Sequence, residues 1–122
     1  MLIYLIDTLR SDHLGAYGQS PDVSPRIDRF ASQAVVFTKA LAQSGWTKPA
    51  VASMLTGLDP LRHGVQDRRD ALAADLPYLP QLLAEAGYET VGLVTNPAVS
   101  PDFGYGRGFD TYEYIPDPPG GL

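Results

Sequence analysis

Apolar and polar positions along this chain come in short blocks, and the blocks predict elements of both kinds. Residues 1–6 form an uninterrupted apolar run ending at Asp7, the pattern of a strand buried on both faces of a parallel sheet, although a buried helix shares it. After a loop marked by Gly15, Gly18, Ser20 and Pro21, Ser24-Pro25 opens a helix through about Ser32, with Ile27, Phe30 and Ala31 on its apolar side. Residues 35–42 are β-branched and aromatic enough to predict a second strand. Residues 47–57 then predict a short helix, with Pro49 suited to a first turn and Gly57 to the left-handed stop. Residues 59–75 are polar and broken by Pro60 and Gly64, so they are expected to form a surface loop passing through His63.

Farther on, Leu82, Leu83 and Ala86, with Gly87 as the stop, predict a helix over 80–86, and a buried strand is expected over 90–95. A Gly- and Tyr-rich loop after Phe103 leads to a short strand around 111–114. Strands and helices in this alternating order predict an α/β fold built on a mainly parallel sheet.

Composition narrows the function classes. With 122 residues and 44% hydrophobic positions, the chain is about one domain and can form a core. A net charge of -5 argues against nucleic acid as a partner, because such proteins carry a basic face. The absence of cysteine excludes disulfides and thiolate metal sites. No apolar segment is long enough to span a bilayer, and the first residues lack the basic start and cleavage site of a signal peptide. Localisation stays undefined, because a chain that opens directly on a core strand is expected to be incomplete at either end.

Two positions carry candidate chemistry. Thr47 stands where a helix begins, and the free N–H groups and positive dipole end there favour an anion, so its hydroxyl is a candidate nucleophile facing a phosphate or sulfate group. Asp7, at the carboxyl end of the first expected strand, stands where α/β sheets open their ligand crevice, and its carboxylate suits a hard cation. Asp7 and Thr47 are therefore candidate ligands of one divalent ion. Asp7 as a plain turn cap and Thr47 as a plain helix cap are the structural alternatives.

Set in order, Ile6-Asp7-Thr8-Leu9-Arg10-Ser11-Asp12-His13-Leu14-Gly15-Ala16-Tyr17-Gly18, Ser24-Pro25-Arg26-Ile27-Asp28-Arg29-Phe30-Ala31, Thr47 to Gly57, Pro60 to Val65, Glu85-Ala86-Gly87-Tyr88 and Gly108-Phe109-Asp110 resemble the amino-terminal part of the sulfatase family, within the alkaline phosphatase superfamily. The resemblance implies a three-layer sandwich like that of alkaline phosphatase, of which residues 1–122 would be the amino-terminal part of a longer catalytic domain. It implies a divalent cofactor, Ca²⁺, Mg²⁺, Mn²⁺ or Zn²⁺, whose remaining ligands come from later in such a domain. The 122 residues alone are then expected to be inactive. The implied substrate is a sulfate or phosphate ester of a small molecule, glycan or lipid.

The chain departs from the family pattern in ways that bear on chemistry. Sulfatases carry Cys or Ser, any residue, Pro, any residue, Arg, and convert the first to formylglycine; here the row is Thr47-Lys48-Pro49-Ala50-Val51. Oxidising threonine would give a ketone, so no formylglycine is expected, and the supporting arginine is replaced by Val51. The family's sulfate-binding Lys and His would fall near Thr95 and Pro97, and neither is present. Thr8, where many sulfatases have a second ligand Asp, offers only a neutral oxygen. A hydroxyl nucleophile held on a metal, as in phosphoryl-transferring relatives, keeps Thr47 chemically sensible. Lys48 and His63 are further catalytic candidates, against an exposed lysine and a loop histidine bonded to backbone as the structural alternatives, and Asn96 is a candidate substrate donor. His13 and Asp12 read as loop residues. A phosphotransferase of the same superfamily and a noncatalytic sulfatase-like module are the alternatives to a hydrolase.

Overall fold

The computed structural model describes residues 1–116. They form two compact units, one spanning Met1–Leu41 and one beginning at Ala42.

In the first unit, α1 (Pro25–Ala31) starts on proline as the sequence predicts. Its Asp28 carboxylate accepts from the Ala16 N–H at 2.8 Å, and the Ser24 hydroxyl accepts from the Gly15 N–H at 2.9 Å. These bonds tie the 3₁₀ turn Gly15–Tyr17, which follows the turn Ser11–His13, to the helix start. The Tyr17 hydroxyl closes the unit on the Phe37 carbonyl at 2.9 Å. The expected strands over 1–6 and 35–42 are corrected: neither segment joins a ladder, and Leu2, Val35 and Leu41 are each more than 80% exposed. An apolar run records a demand for burial, but a strand also needs a partner for its N–H and C=O groups, which the run does not specify.

The second unit holds the core of Val51, Ala52, Val65, Leu72, Tyr78, Val99 and Tyr105. Its first helix, α2 (Thr47–Thr56), begins one residue after the extended Trp46 and ends on Gly57, whose φ of 71° is the left-handed stop that the sequence predicts. The segment expected to be a loop contains a helical turn, α3 (Pro60–His63). Asp59 caps it by accepting from the Leu61 and Arg62 N–H groups, and Gly64 ends it. After α4 (Leu79–Glu85), β1 (Val91–Val94) pairs in parallel with β2 (Thr111–Tyr114), Val91 opposite Thr111 and Val94 opposite Tyr114.

Thr90 and Asp110 set that register from just outside the strands. The Asp110 carboxylate accepts from the Thr90 N–H at 2.8 Å, the Thr90 hydroxyl donates to the Gly108 carbonyl at 2.9 Å, and the Asp110 N–H returns to the Thr90 carbonyl at 2.9 Å. The helix-and-parallel-strand order is the α/β class expected from the sequence.

Candidate functional site

Thr47 is the first residue of α2 and is half-buried. Its Oγ1 lies 3.5 Å from Asn96 Nδ2, a long donor–acceptor distance that places two residues 49 positions apart at one spot. Asn96 is aimed by the 3₁₀ turn Pro97–Val99, since its Oδ1 accepts from the Ala98 N–H at 2.9 Å. That leaves the amide nitrogen facing the helix start. A threonine hydroxyl at a helix N-terminus, beside an amide donor, is an arrangement suited to an anion.

Lys48, next along, is corrected from the exposed lysine that composition favours: it is 1% exposed. Its Nζ donates to the Arg68 carbonyl at 2.7 Å and lies 3.1 Å from the Phe103 ring centroid. Burial pulls its pKa down, and the nearby Asp70 and Asp67 pull it back up.

His63, at the end of α3, is 3% exposed. Its Nδ1 accepts from the Val65 N–H at 3.1 Å, which puts the proton of the neutral ring on Nε2, 2.9 Å from Ser53 Oγ. The ring therefore donates to the serine hydroxyl instead of withdrawing its proton. Burial pushes the His63 pKa below its ordinary value, against the opposing effects of the Pro49 carbonyl and Asp59. With both nitrogens engaged, the ring bolts α3 to α2.

Asp7 sits in the first unit, in a turn instead of at a strand end. Its Oδ1 accepts from the Thr8 N–H at 3.0 Å, and Thr8 has a φ of 56°. A β-branched residue in that region is strained by about 1–3 kcal/mol. Asp12 and His13 fall in the adjoining 3₁₀ turn, with Asp12 paired to Arg10 at 2.6 Å, as loop residues do.

Divalent cations of the hard class take about six or more oxygen ligands. Asp7, Thr8 and Thr47 are donors of the right chemical kind. Among the described residues no three His, Cys, Asp or Glu side chains gather in one cluster, so these residues alone do not complete a cation site.

Sequence reasoning missed the residues that brace the helix start. The Tyr105 hydroxyl donates to the Lys48 carbonyl at 2.6 Å, and the Tyr78 hydroxyl to the Tyr105 carbonyl at 2.8 Å. No local pattern announces a bond between positions 57 apart. Burial pushes the pKa of both phenols upward, so they stay protonated donors.

With this geometry in place, comparison with known proteins decides the family, since the family described as Sulfatase matches residues 1–119. The chain belongs to the sulfatase family. Similar proteins include iduronate 2-sulfatase of Mus musculus, 34% identical over 92% of this chain and 22% of the relative. Delta 4,5-hexuronate-2-O-sulfatase of Bacteroides thetaiotaomicron is 30% identical over 96% of this chain and 24% of its own length. N-acetylgalactosamine-6-O-sulfatase of the same organism is 36% identical over 73% of this chain and 19% of its own length. The chain thus spans about a fifth to a quarter of the length of the curated relatives it matches. No solved structure gives a significant match. Among the described residues, no helix is long and apolar enough to cross a membrane.

Proposed function

We propose that the protein carrying this chain hydrolyses sulfate or phosphate esters of sugars, with the Thr47 hydroxyl as the attacking oxygen. One observation carries the reading: in a member of the sulfatase family, Thr47 Oγ1 stands at the start of α2 with the Asn96 amide 3.5 Å away. The relatives' names are those of sugar sulfatases, which supports a sugar ester as substrate.

The Thr47 oxygen attacks the sulfur or phosphorus as its hydroxyl proton is released, the bond to the sugar oxygen breaks, and that oxygen takes up one proton so that the sugar leaves as an alcohol; water then cleaves the threonyl ester, its oxygen going to the inorganic anion and one of its protons restoring the Thr47 hydroxyl. The Asn96 amide and the positive dipole end of α2 hold the anionic oxygens. Lys48 and His63 take structural parts, since each side chain is buried and already engaged. Asp7 and Thr47 are the proposed oxygen donors to a divalent cation, which neutralises ester charge when bound.

In the full-length protein, Thr47→Ala is expected to lower kcat at least about a hundredfold on 4-nitrophenyl sulfate or phosphate, while Thr47→Ser keeps part of the activity. Turnover by Thr47→Ala equal to the parent's refutes the nucleophile. Chelation is expected to remove activity and added divalent ion to restore it, with Asp7→Asn raising the ion concentration required; activity indifferent to chelator counts against the metal.

A further inference from the structure

A buried lysine needs a reason, because an ammonium taken out of water loses hydration that only charge pairing or good hydrogen bonds replace. Lys48 finds its compensation on two sides. On one side, its Nζ donates to the Arg68 carbonyl, in a loop that caps itself: the Asp70 carboxylate accepts from the Gln66 and Asp67 N–H groups at 2.8 and 2.6 Å, and the Asp67 carboxylate accepts from the Arg68 N–H at 2.6 Å. The loop is thereby stiff, and it turns a carbonyl toward the cation. On the other side, the ammonium lies against the face of Phe103, where the ring quadrupole attracts it. The Lys48 backbone is fastened too, since its carbonyl accepts the Tyr105 hydroxyl. Side chain and main chain of the residue beside Thr47 are both tied to elements other than α2.

We propose that Lys48 is a positioning residue: its ammonium, wedged between the Arg68 carbonyl and the Phe103 ring, and its carbonyl, held by Tyr105, fix the first turn of α2 so that the Thr47 hydroxyl stays beside the Asn96 amide. The assignment rests on the reading of Thr47 as the reacting group. Displacement of a reacting group by a fraction of an ångström lowers the rate of the chemical step more than it weakens substrate binding.

The test uses the full-length protein with 4-nitrophenyl sulfate and 4-nitrophenyl phosphate, and compares Lys48→Met, Tyr105→Phe, Val65→Ala and Thr47→Ala. Lys48→Met, close in shape but uncharged, is expected to lower kcat about tenfold with KM within about twofold, and Tyr105→Phe to lower it about threefold. Val65→Ala, a core truncation that removes none of the wedge's own bonds, is expected to lower Tm without lowering kcat, which separates positioning from plain destabilisation. Faster amide exchange at Ala50 and Val51 is expected in Lys48→Met and Tyr105→Phe. If Lys48→Met fails to fold, Tyr105→Phe carries the test through the same two readouts. Unchanged kcat and exchange in the two wedge variants, with Thr47→Ala inactive, overturns the positioning role and leaves the Thr47 reading standing. A raised KM at unchanged kcat makes Lys48 a substrate contact and overturns the proposal as well. Full activity in Thr47→Ala removes the reacting group, and the positioning role falls with it.

Discussion

At His63 the nitrogen facing Val65 has no proton to give, and that decides how the residue behaves with pH. Protonation would set an N–H on Nδ1 against the Val65 N–H, which now donates to it at 3.1 Å, and would place a charge in a buried site. The folded pKa accordingly lies below the ordinary value of 6.5. Below about pH 6.5 the unfolded chain takes up a proton that the folded chain refuses, so stability falls with falling pH until the lowered folded pKa is reached, by at most ~1.4 kcal/mol per pH unit, and above that window the group contributes no pH dependence. Thermal unfolding of the parent and His63→Gln across pH 5–8 checks this: the parent is expected to lose Tm on the acid side of neutrality more steeply than the variant, and parallel curves would refute it. Motif position made His63 a candidate for catalysis. What the motif lacked was Ser53, ten residues earlier on another helix, whose hydroxyl receives the ring proton.

Among the elements, the join between α4 and the loop before β2 is the most intolerant. Gly108 has a φ of 74°, and a Cβ there would collide with the backbone nitrogen and Cα of Gln81 in the first turn of α4. Its carbonyl is also the acceptor for Thr90, so a shift would be felt at the start of β1. Gly108→Ala is therefore expected to cost about 1–3 kcal/mol or more, read as a lower denaturation midpoint, whereas Gly45→Ala, with open space around the added carbon, should stay within about 0.5 kcal/mol. Equal midpoints for the two variants would sink the argument. Helices α1, α2 and α4 were legible because proline near the start and glycine or a polar break at the end bracket each apolar face. The same signals, Asp59-Pro60 and Gly64, also bracket α3, but four residues are too few to show an apolar period, so the segment read as loop.

Across the whole molecule, burial is uneven. In Met1–Leu41 only Ser24 is buried, while the second unit holds the apolar core and the parallel strand pair. Amide exchange on the 122-residue chain should therefore be slow in α2 and β1 and fast through residues 1–41, because local opening is cheapest where few apolar contacts break. Equal protection in both units would contradict that gradient. The sequence by itself determined the α/β class, the limits of α1, α2, α4, β1 and β2 to within a residue or two, and the family, since these depend on caps, local periodicity and an ordered set of motifs. It also placed Thr47 at a helix mouth, which a local cap pattern suffices to do. Only the tertiary structure decided that Asn96 faces Thr47, that Lys48 and His63 are buried and bonded, and that the apolar segments 1–6 and 35–42 form no ladder. Those outcomes depend on partners 10 to 57 positions away, or on a strand's need for a neighbour, and the free energy of burying a charge or pairing a backbone is set by such partners, which no local pattern names.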